Sequence, residues 1–347
     1  PFVPDRGRTR NEGPLPTKAA ATRWHHARSN AVSVDEITEE VTEEVTEEVT
    51  MSLKITPLTP TIGAEIAGLN ILAMNDEEFA TLFDAFTRHS VVFLRDQPAL
   101  TEEQHYAFAR RFGDVHIHPF ARHAEPDPDN LHPGLLRMHT TVDTRVASGN
   151  RWHSDVSCDD RPPQASILQL HQVPTSGGDT LFASLYAAYD ALSPQMKRYL
   201  DGMTARHSGE DSYRKLFQKK IGFGSTWPEA DHPIIRRHSD SGRPVLYVDR
   251  EFTESINGLP KEEGRALLDF LIAHTERANF QCRFQWTQNA IAIWDNRCAL
   301  HHAIWDYWPQ ERRGHRVSVQ GEVPVMWDLD TDCVPETIEH NTVKLTA

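Results

Sequence analysis

Histidine and carboxylate pairs separated by one residue are the first candidates for metal chemistry in this sequence. His153 and Asp155 lie in Arg-Trp-His-Ser-Asp-Val, and residues i and i+2 of a strand point to the same side. Two histidines and one carboxylate on one face of an ion are the donor set of non-haem iron. A second pair, His238 and Asp240, lies in Arg-Arg-His-Ser-Asp-Ser-Gly, which is typical of a polar turn. We favour the first pair, although the spacing alone does not exclude the second.

A third ligand must come from a distant strand. The segment that follows the apolar strand at 290–294 ends in His301 and His302, and only one of two neighbours on a strand faces inward. A lone histidine is more often hydrogen-bonded in a core than bound to a metal. Two histidines and one aspartate can also hold the catalytic zinc of a hydrolase. A zinc hydrolase therefore stays open as an alternative at this point.

The elements that must position these residues are mainly short strands. Hydrophobic periodicity predicts helices at 76–89, 184–192 and 261–275, and an N-cap at Thr101 begins another that ends near Gly113. It predicts strands at 91–94, 165–170, 180–183, 245–248, 283–286, 290–294 and 316–321. Short strands separated by Gly and Pro favour a β-barrel or sandwich with helices packed outside.

The first 50 residues differ from the rest of the chain. Thr-Glu-Glu-Val repeats from Thr38 to Val49, and Thr and Val are indifferent helix formers. We predict a disordered or loosely helical tail at 1–50 that takes no part in chemistry, and one folded domain at 51–347.

Composition excludes several classes of partner. The formal charge of −14 argues against nucleic acid, which requires clustered Lys and Arg. No apolar run approaches the roughly 20 residues of a membrane span. The four cysteines show no zinc spacing and predict reduced thiols in a cytoplasmic protein.

Four segments in order, residues 112–119, 152–156, 177–181 and 294–316, resemble the taurine dioxygenase/2,4-D dioxygenase (TauD/TfdA) family. The resemblance runs from about residue 55 to residue 325. It implies a mainly β fold with flanking helices, a double-stranded β-helix or jelly roll. It also implies an enzyme that uses Fe(II), 2-oxoglutarate and O2.

By position, the resemblance assigns the iron to His153, Asp155 and His301, and leaves His302 without a metal role. It places the distal carboxylate of 2-oxoglutarate on Thr180 and Arg312. An arginine fork and a hydroxyl suit that carboxylate, because the fork can donate two parallel hydrogen bonds.

The resemblance also implies the side of the pocket that binds a small anionic substrate. It assigns this role to His118, the backbone N–H of Val156, Phe217, Phe252 and Arg316. Two departures are Ala121, where the taurine-type enzymes carry Tyr, and Gly149, where they carry Asn.

The expected reaction is hydroxylation of a sulfonate such as taurine, with release of sulfite. Alkyl sulfates and aryloxyalkanoates are the alternatives within the family, and a non-catalytic jelly roll that binds small anions is the alternative of another class. Self-association into a homo-oligomer is possible, since family members often associate.

Overall fold

The computed structural model describes residues 53–122, 132–145, 148–217 and 227–332. The helices are α1 (Asp76–His89), α2 (Glu102–Ala109), α3 (Pro119–Arg122), α4 (Leu185–Asp190), α5 (Pro194–Leu200), α6 (Glu210–Phe217) and α7 (Lys261–Thr275). The predicted tail at 1–50 lies outside the described residues and stays a prediction.

Strands are the more numerous elements of the described chain. They are β1 (Lys54–Pro57), β2 (Ala64–Ala67), β3 (Val91–Leu94), β4 (Leu135–Thr140), β5 (Ala165–Gln172), β6 (Thr180–Ser184), β7 (Thr204–Ser208), β8 (Glu229–Pro233), β9 (Ile235–Arg237), β10 (Pro244–Leu246), β11 (Thr253–Ile256), β12 (Gln281–Phe284), β13 (Ile291–Asp295), β14 (Ala299–Ala303), β15 (Arg312–Val319) and β16 (Val325–Met326). The fold is therefore mainly β with helices, as the sequence predicts.

Helix α1 begins and ends where its sequence predicts. The Asn75 side chain accepts from the backbone N–H of Glu78, and the Glu78 side chain accepts from that of Asn75, which forms a capping box. Ser90 ends the helix with φ of +62°. Leu82 and Phe86 are buried on the face that packs on the sheet.

A seven-stranded sheet, in the order β1-β2-β3-β13-β5-β15-β4, forms the centre of the fold. Its strand pairs are antiparallel except β2 with β3. Alternate residues of β3 enter different cores, Val92 on the side of α1 and Phe93 on the other. Both faces are covered, which explains why the run 91–94 is apolar throughout.

The second face of the large sheet packs on a three-stranded sheet, β12-β6-β14. Phe93 of the large sheet stacks on Phe284 of the small one with ring centroids 4.0 Å apart. Phe182 meets Phe93 edge-on at 5.5 Å. Phe182 and Trp294 of this core also contact the ring of His301, with centroids 6.2 and 4.7 Å away.

Two more three-stranded sheets, β11-β7-β8 and β10-β9-β16, complete the described strands. Helices α4 and α7 pack with them around a separate core that includes Leu246, Leu268 and Trp327. Among the described helices, none combines the length and hydropathy that crossing a bilayer requires.

Most predicted elements appear, and several bounds are corrected. Helix 261–275 and strand 91–94 are found as predicted. The strand predicted at 316–321 begins four residues earlier, and the one predicted at 283–286 is displaced towards the N-terminus. The helix predicted to run to Gly113 ends at Ala109, because the chain turns before that glycine (φ +144°).

Candidate active site

The three predicted iron ligands meet at the base of one cavity. Nε2 of His153 lies 3.7 Å from Oδ1 of Asp155, and Nε2 of His301 lies 3.9 Å from the same oxygen. The imidazole centroids are 4.0 Å apart, and all three residues are buried. Two nitrogens and one carboxylate oxygen on one side are the donors that Fe(II) takes in oxygenases.

Local structure brings these ligands together in a way that corrects the sequence prediction. His153 and His301 form an antiparallel bridge through mutual backbone hydrogen bonds of 3.1 and 2.9 Å. The sequence pattern predicts that Asp155 lies on the same strand as His153. This prediction is wrong, because Asp155 lies in the turn after the bridge. The turn passes through Val156 with φ of +48°. A β-branched residue is sterically strained in that region. The surrounding structure must therefore stabilise the turn that positions Asp155.

Backbone and side-chain partners fix the protonation of the ligands. Nδ1 of His153 lies 2.7 Å from the carbonyl oxygen of Arg151; a carbonyl only accepts, so Nδ1 carries the proton and Nε2 keeps its lone pair. Burial, followed by His153, lowers the pKa of His301 well below its usual value. The ring stays neutral, which metal binding requires.

Asp155 is held as a carboxylate. Burial alone would raise its pKa, but Arg316 and the two histidines outweigh that effect and lower the pKa well below the ordinary value. Nη1 of Arg316 donates to Oδ1 at 2.7 Å. The backbone N–H of Asp155 donates to Oδ1 of Asn296, which also accepts from the Trp294 indole.

The rival pair, His238 and Asp240, belongs to a structural ion network. His238 Nε2 lies 2.9 Å from Oδ2 of Asp295, and the same oxygen accepts from Arg297 at 2.6 Å. Arg297 also donates to Asp240 at 2.7 Å. Cys298 lies close enough to complete a possible metal group, yet the guanidinium already neutralises Asp295. The network holds the turn that leads into β14.

The predicted anchors for 2-oxoglutarate line the same cavity. Thr180 and Arg312 are 3% and 5% exposed. Nε and Nη2 of Arg312 are buried without a hydrogen-bond partner among the described residues. Burial lowers the pKa of Arg312, and unpaired buried donors of a cation call for an anion. The residues therefore fit a bound carboxylate.

Four of the predicted substrate residues belong to the same cavity. His118, Val156, Phe252 and Arg316 all line it. Burial, and then the charge of Arg316, lower the pKa of His118 to about 4. A neutral ring at this position binds by hydrogen bonding, and Arg316 supplies the positive charge.

Three further positions from the sequence analysis are Phe217, Ala121 and Gly149. Phe217 ends α6, and its side chain and that of Ala121 lie outside the described residues, so the role of Phe217 stays a prediction. Gly149 lines the cavity with φ of +79°, and a Cβ there would lie 3.4 Å from the His153 ring.

Sequence reasoning missed Tyr213 and Trp286, which also line the cavity. The Tyr213 ring lies edge-on to His118 at 5.3 Å and 5.8 Å from Phe252. A tyrosine on an amphipathic helix is usually a core residue, so the sequence carried no distinguishing signal.

The cavity as a whole measures about 550 Å³. Its apolar wall includes Leu136, Met138 and Leu168. Glu251 on the rim pairs with Arg151 at 3.2 Å, so this carboxylate is neutralised. The space suits two small anions above one metal.

Comparisons with known proteins agree with this geometry. The family model "Taurine catabolism dioxygenase TauD, TfdA family" matches residues 54–318. An alpha-ketoglutarate-dependent sulfate ester dioxygenase of Pseudomonas putida is 33% identical over 79% of this chain and 92% of its own length. An alpha-ketoglutarate-dependent sulfonate dioxygenase of Saccharomyces cerevisiae is 32% identical over 79% of this chain and 68% of its own length.

Solved structures give the same result. A taurine dioxygenase from Burkholderia xenovorans is 33% identical with a TM-score of 0.66, over 79% of this chain and 93% of that one. AAD-2 in complex with Mn(II) and N-oxalylglycine is 26% identical with a TM-score of 0.67, over 80% of this chain and all of the other. The family model covers most of the chain, and the chain therefore belongs to the TauD/TfdA family of 2-oxoglutarate (alpha-ketoglutarate)-dependent dioxygenases.

Proposed function

We propose that this dioxygenase holds Fe(II) on His153, Asp155 and His301 and oxidises a sulfonate or sulfate ester. The observation that carries the proposal is the convergence of two imidazoles and one carboxylate in a cavity that also holds a buried and a half-buried arginine. A double-stranded β-helix is the finer description that we propose for the fold, supported by the two facing sheets and the similarity to taurine dioxygenase structures.

In this proposal, Arg312 and Thr180 hold the distal carboxylate of 2-oxoglutarate. When bound, iron and 2-oxoglutarate supply the oxidation of a substrate C–H bond by O2, with conversion of 2-oxoglutarate to succinate and CO2. The protein fixes the ligand protonation states and positions both anions above the metal. A zinc hydrolase would leave Thr180 and Arg312 without a role.

Arg316, His118 and the backbone N–H of Val156 bind the substrate anion in this proposal. Arg316 offers a planar charged donor, and the neutral His118 ring offers one hydrogen bond. The apolar wall then receives the carbon chain with its reacting C–H. For a sulfonate, hydroxylation of the carbon bonded to sulfur gives an unstable product that separates into an aldehyde and sulfite. For a sulfate ester, hydroxylation of the carbon that bears the ester oxygen gives an aldehyde and sulfate.

The names of the relatives support sulfur-containing substrates over aryloxyalkanoates, although both occur among them. The Glu251 side chain is already paired with Arg151, and Gly149 offers no side-chain amide, so neither position provides an unpaired group for the ammonium of taurine. We therefore rank alkanesulfonates and alkyl sulfates above taurine.

A substrate panel tests the proposal. The iron-loaded enzyme is given 2-oxoglutarate with taurine, hexanesulfonate, hexyl sulfate or phenoxyacetate, and succinate, sulfite and sulfate are measured. Sulfite or sulfate formed in step with succinate supports the proposal, whereas stimulation by phenoxyacetate alone overturns the substrate class.

A matched pair of variants tests the substrate anchor. Arg316→Gln should raise the KM for the anionic substrate at least tenfold, while exposed Arg313→Gln should leave it unchanged. Equal effects of the two substitutions contradict the role of Arg316.

The cysteines support the proposed cytoplasmic location. Cys158, Cys282 and Cys298 are buried and free, and burial raises the pKa of Cys282 to about 12. Such thiols are unreactive, which fits a reducing compartment.

A further inference from the structure

Trp286 contacts both of the residues assigned to the distal carboxylate of 2-oxoglutarate. Its indole Nε1–H donates to the Thr180 hydroxyl oxygen at 3.0 Å. The guanidinium carbon of Arg312 lies 5.7 Å from the centroid of its ring. Trp286 is 7% exposed and lines the cavity, so these contacts lie in a region that excludes most water.

The direction of the first contact has a chemical consequence. An indole N–H donates and cannot accept, so the Thr180 oxygen must be the acceptor. The hydroxyl proton of Thr180 is then directed to another partner. A hydroxyl that donates suits a carboxylate, whereas one that accepts would repel it.

The second contact concerns the position of the arginine. Within about 6 Å, a cation is attracted to the face of an indole ring. Two nitrogens of Arg312 have no protein acceptor among the described residues, so the ring restrains the guanidinium without using those donors. The ring of Trp286 is itself held edge-on against Phe284 at 5.0 Å.

We propose that Trp286 is a positioning residue that prepares Thr180 and Arg312 to donate together to the distal carboxylate of 2-oxoglutarate. The inference rests on the proposed roles of these two residues. Trp286 sets the direction of the Thr180 hydroxyl and restrains the Arg312 guanidinium, so the enzyme distinguishes a dicarboxylic keto acid from a monocarboxylic one.

Calorimetry on Mn(II)-loaded protein without oxygen tests this role without turnover. The probes are 2-oxoglutarate and 2-oxobutyrate, which lacks the distal carboxylate. Trp286→Phe removes the N–H and should weaken 2-oxoglutarate binding about 3–10-fold, while 2-oxobutyrate binds as before. Equal weakening of both ligands, or no weakening of either, would overturn the proposal.

Trp327→Phe is the matched control. Trp327 is also buried, its indole nitrogen has no hydrogen-bond partner among the described residues, and it belongs to the core around α7. This variant should keep the wild-type affinity for both ligands, and a loss like that of Trp286→Phe would mean a general packing effect.

Thr180→Val removes the same hydrogen bond without changing Trp286, so it keeps the proposal testable if the tryptophan variant does not fold: unchanged affinity for 2-oxoglutarate would overturn the proposal. This substitution should weaken 2-oxoglutarate binding about tenfold and leave 2-oxobutyrate unchanged. In the double variant Thr180→Val with Trp286→Phe, the affinity for 2-oxoglutarate should be little lower than in Thr180→Val alone, because the two residues share one hydrogen bond. Full additivity contradicts the coupling. Failure of wild-type protein to bind 2-oxoglutarate would instead overturn the proposed function.

Discussion

The Ser166 hydroxyl donates to Oδ2 of Asp155 at 2.7 Å. Ser166 also accepts from the Asn296 side-chain amide at 2.9 Å. The hydroxyl therefore links the carboxylate that we propose as a metal ligand to the turn before β14. Oδ1 is the oxygen that lies near both histidines, and it also accepts from Arg316.

Ser166→Ala should lower metal affinity about 10–100-fold, the usual effect of losing a residue that orients a ligand. Metal titration followed by calorimetry measures it. Ser318→Ala is the control, because Ser318 contacts Ser166 at 3.0 Å and, within the described part of the chain, makes no hydrogen bond to Asp155. Unchanged affinity in the Ser166 variant would show that the carboxylate needs no such support.

Replacement of neighbouring histidines separates the ligand from the bystander. His301→Ala should lower metal affinity more than replacement of a supporting residue such as Ser166 does. Turnover of 2-oxoglutarate should be lost together with the metal. His302→Ala should keep both, because its ring contacts Trp152 at 5.5 Å and does not face Asp155. Metal content after dialysis and succinate formation are the measurements. The reverse result would exchange the two assignments.

Gly314→Ala should destabilise the protein by at least about 2 kcal/mol. A Cβ at this position would lie 2.1 Å from the carbonyl oxygen of Gln169, and backbone cannot move aside cheaply. Gly264→Ala in helix α7 has only ordinary contacts and should be neutral or stabilising by up to about 1 kcal/mol. Urea unfolding midpoints compare the two, and equal losses would contradict the packing argument.

Stability should fall in acid because of His105. Burial lowers its pKa to about 3, so the unfolded chain takes up a proton first, near pH 6.5. The neutral ring therefore stabilises the fold fully above about pH 6.5 and progressively less down to pH 3. At pH 5 the loss is about 2 kcal/mol.

Unfolding free energies at pH 7.5 and pH 5 measure this effect. His105→Leu should show the smaller difference between the two pH values, whatever its absolute stability. An undiminished pH dependence in that variant would assign the effect to other groups.

Local signals made some of this structure predictable from sequence. The capping box at Asn75 and the apolar face of α1 are encoded within a few residues, and so is the apolar run of β3. The grouping of His153, Asp155 and His301, which we propose hold iron, was predictable because His153 and Asp155 are close in sequence and the family motifs selected His301 over His302.

Other parts depend on tertiary contacts. The beginning of β15 is polar, with Arg312 and Arg313, and only pairing with β4 and β5 makes it a strand. The Asp155 turn required the unusual backbone of Val156. Trp286 looks like an ordinary core residue until its partner Thr180, 106 positions away in the chain, is known.

Strand β15 carries Arg312 and Arg316 between β4 and β5. Both proposed anion anchors thus belong to one strand, whereas the apolar wall comes partly from Leu136 and Met138 on the edge strand β4. Substitutions on β4 can therefore change the range of substrates, while Arg312, the proposed anchor of the co-substrate, is unchanged. For enzyme engineering, libraries confined to β4 should change which molecules are oxidised and preserve 2-oxoglutarate dependence.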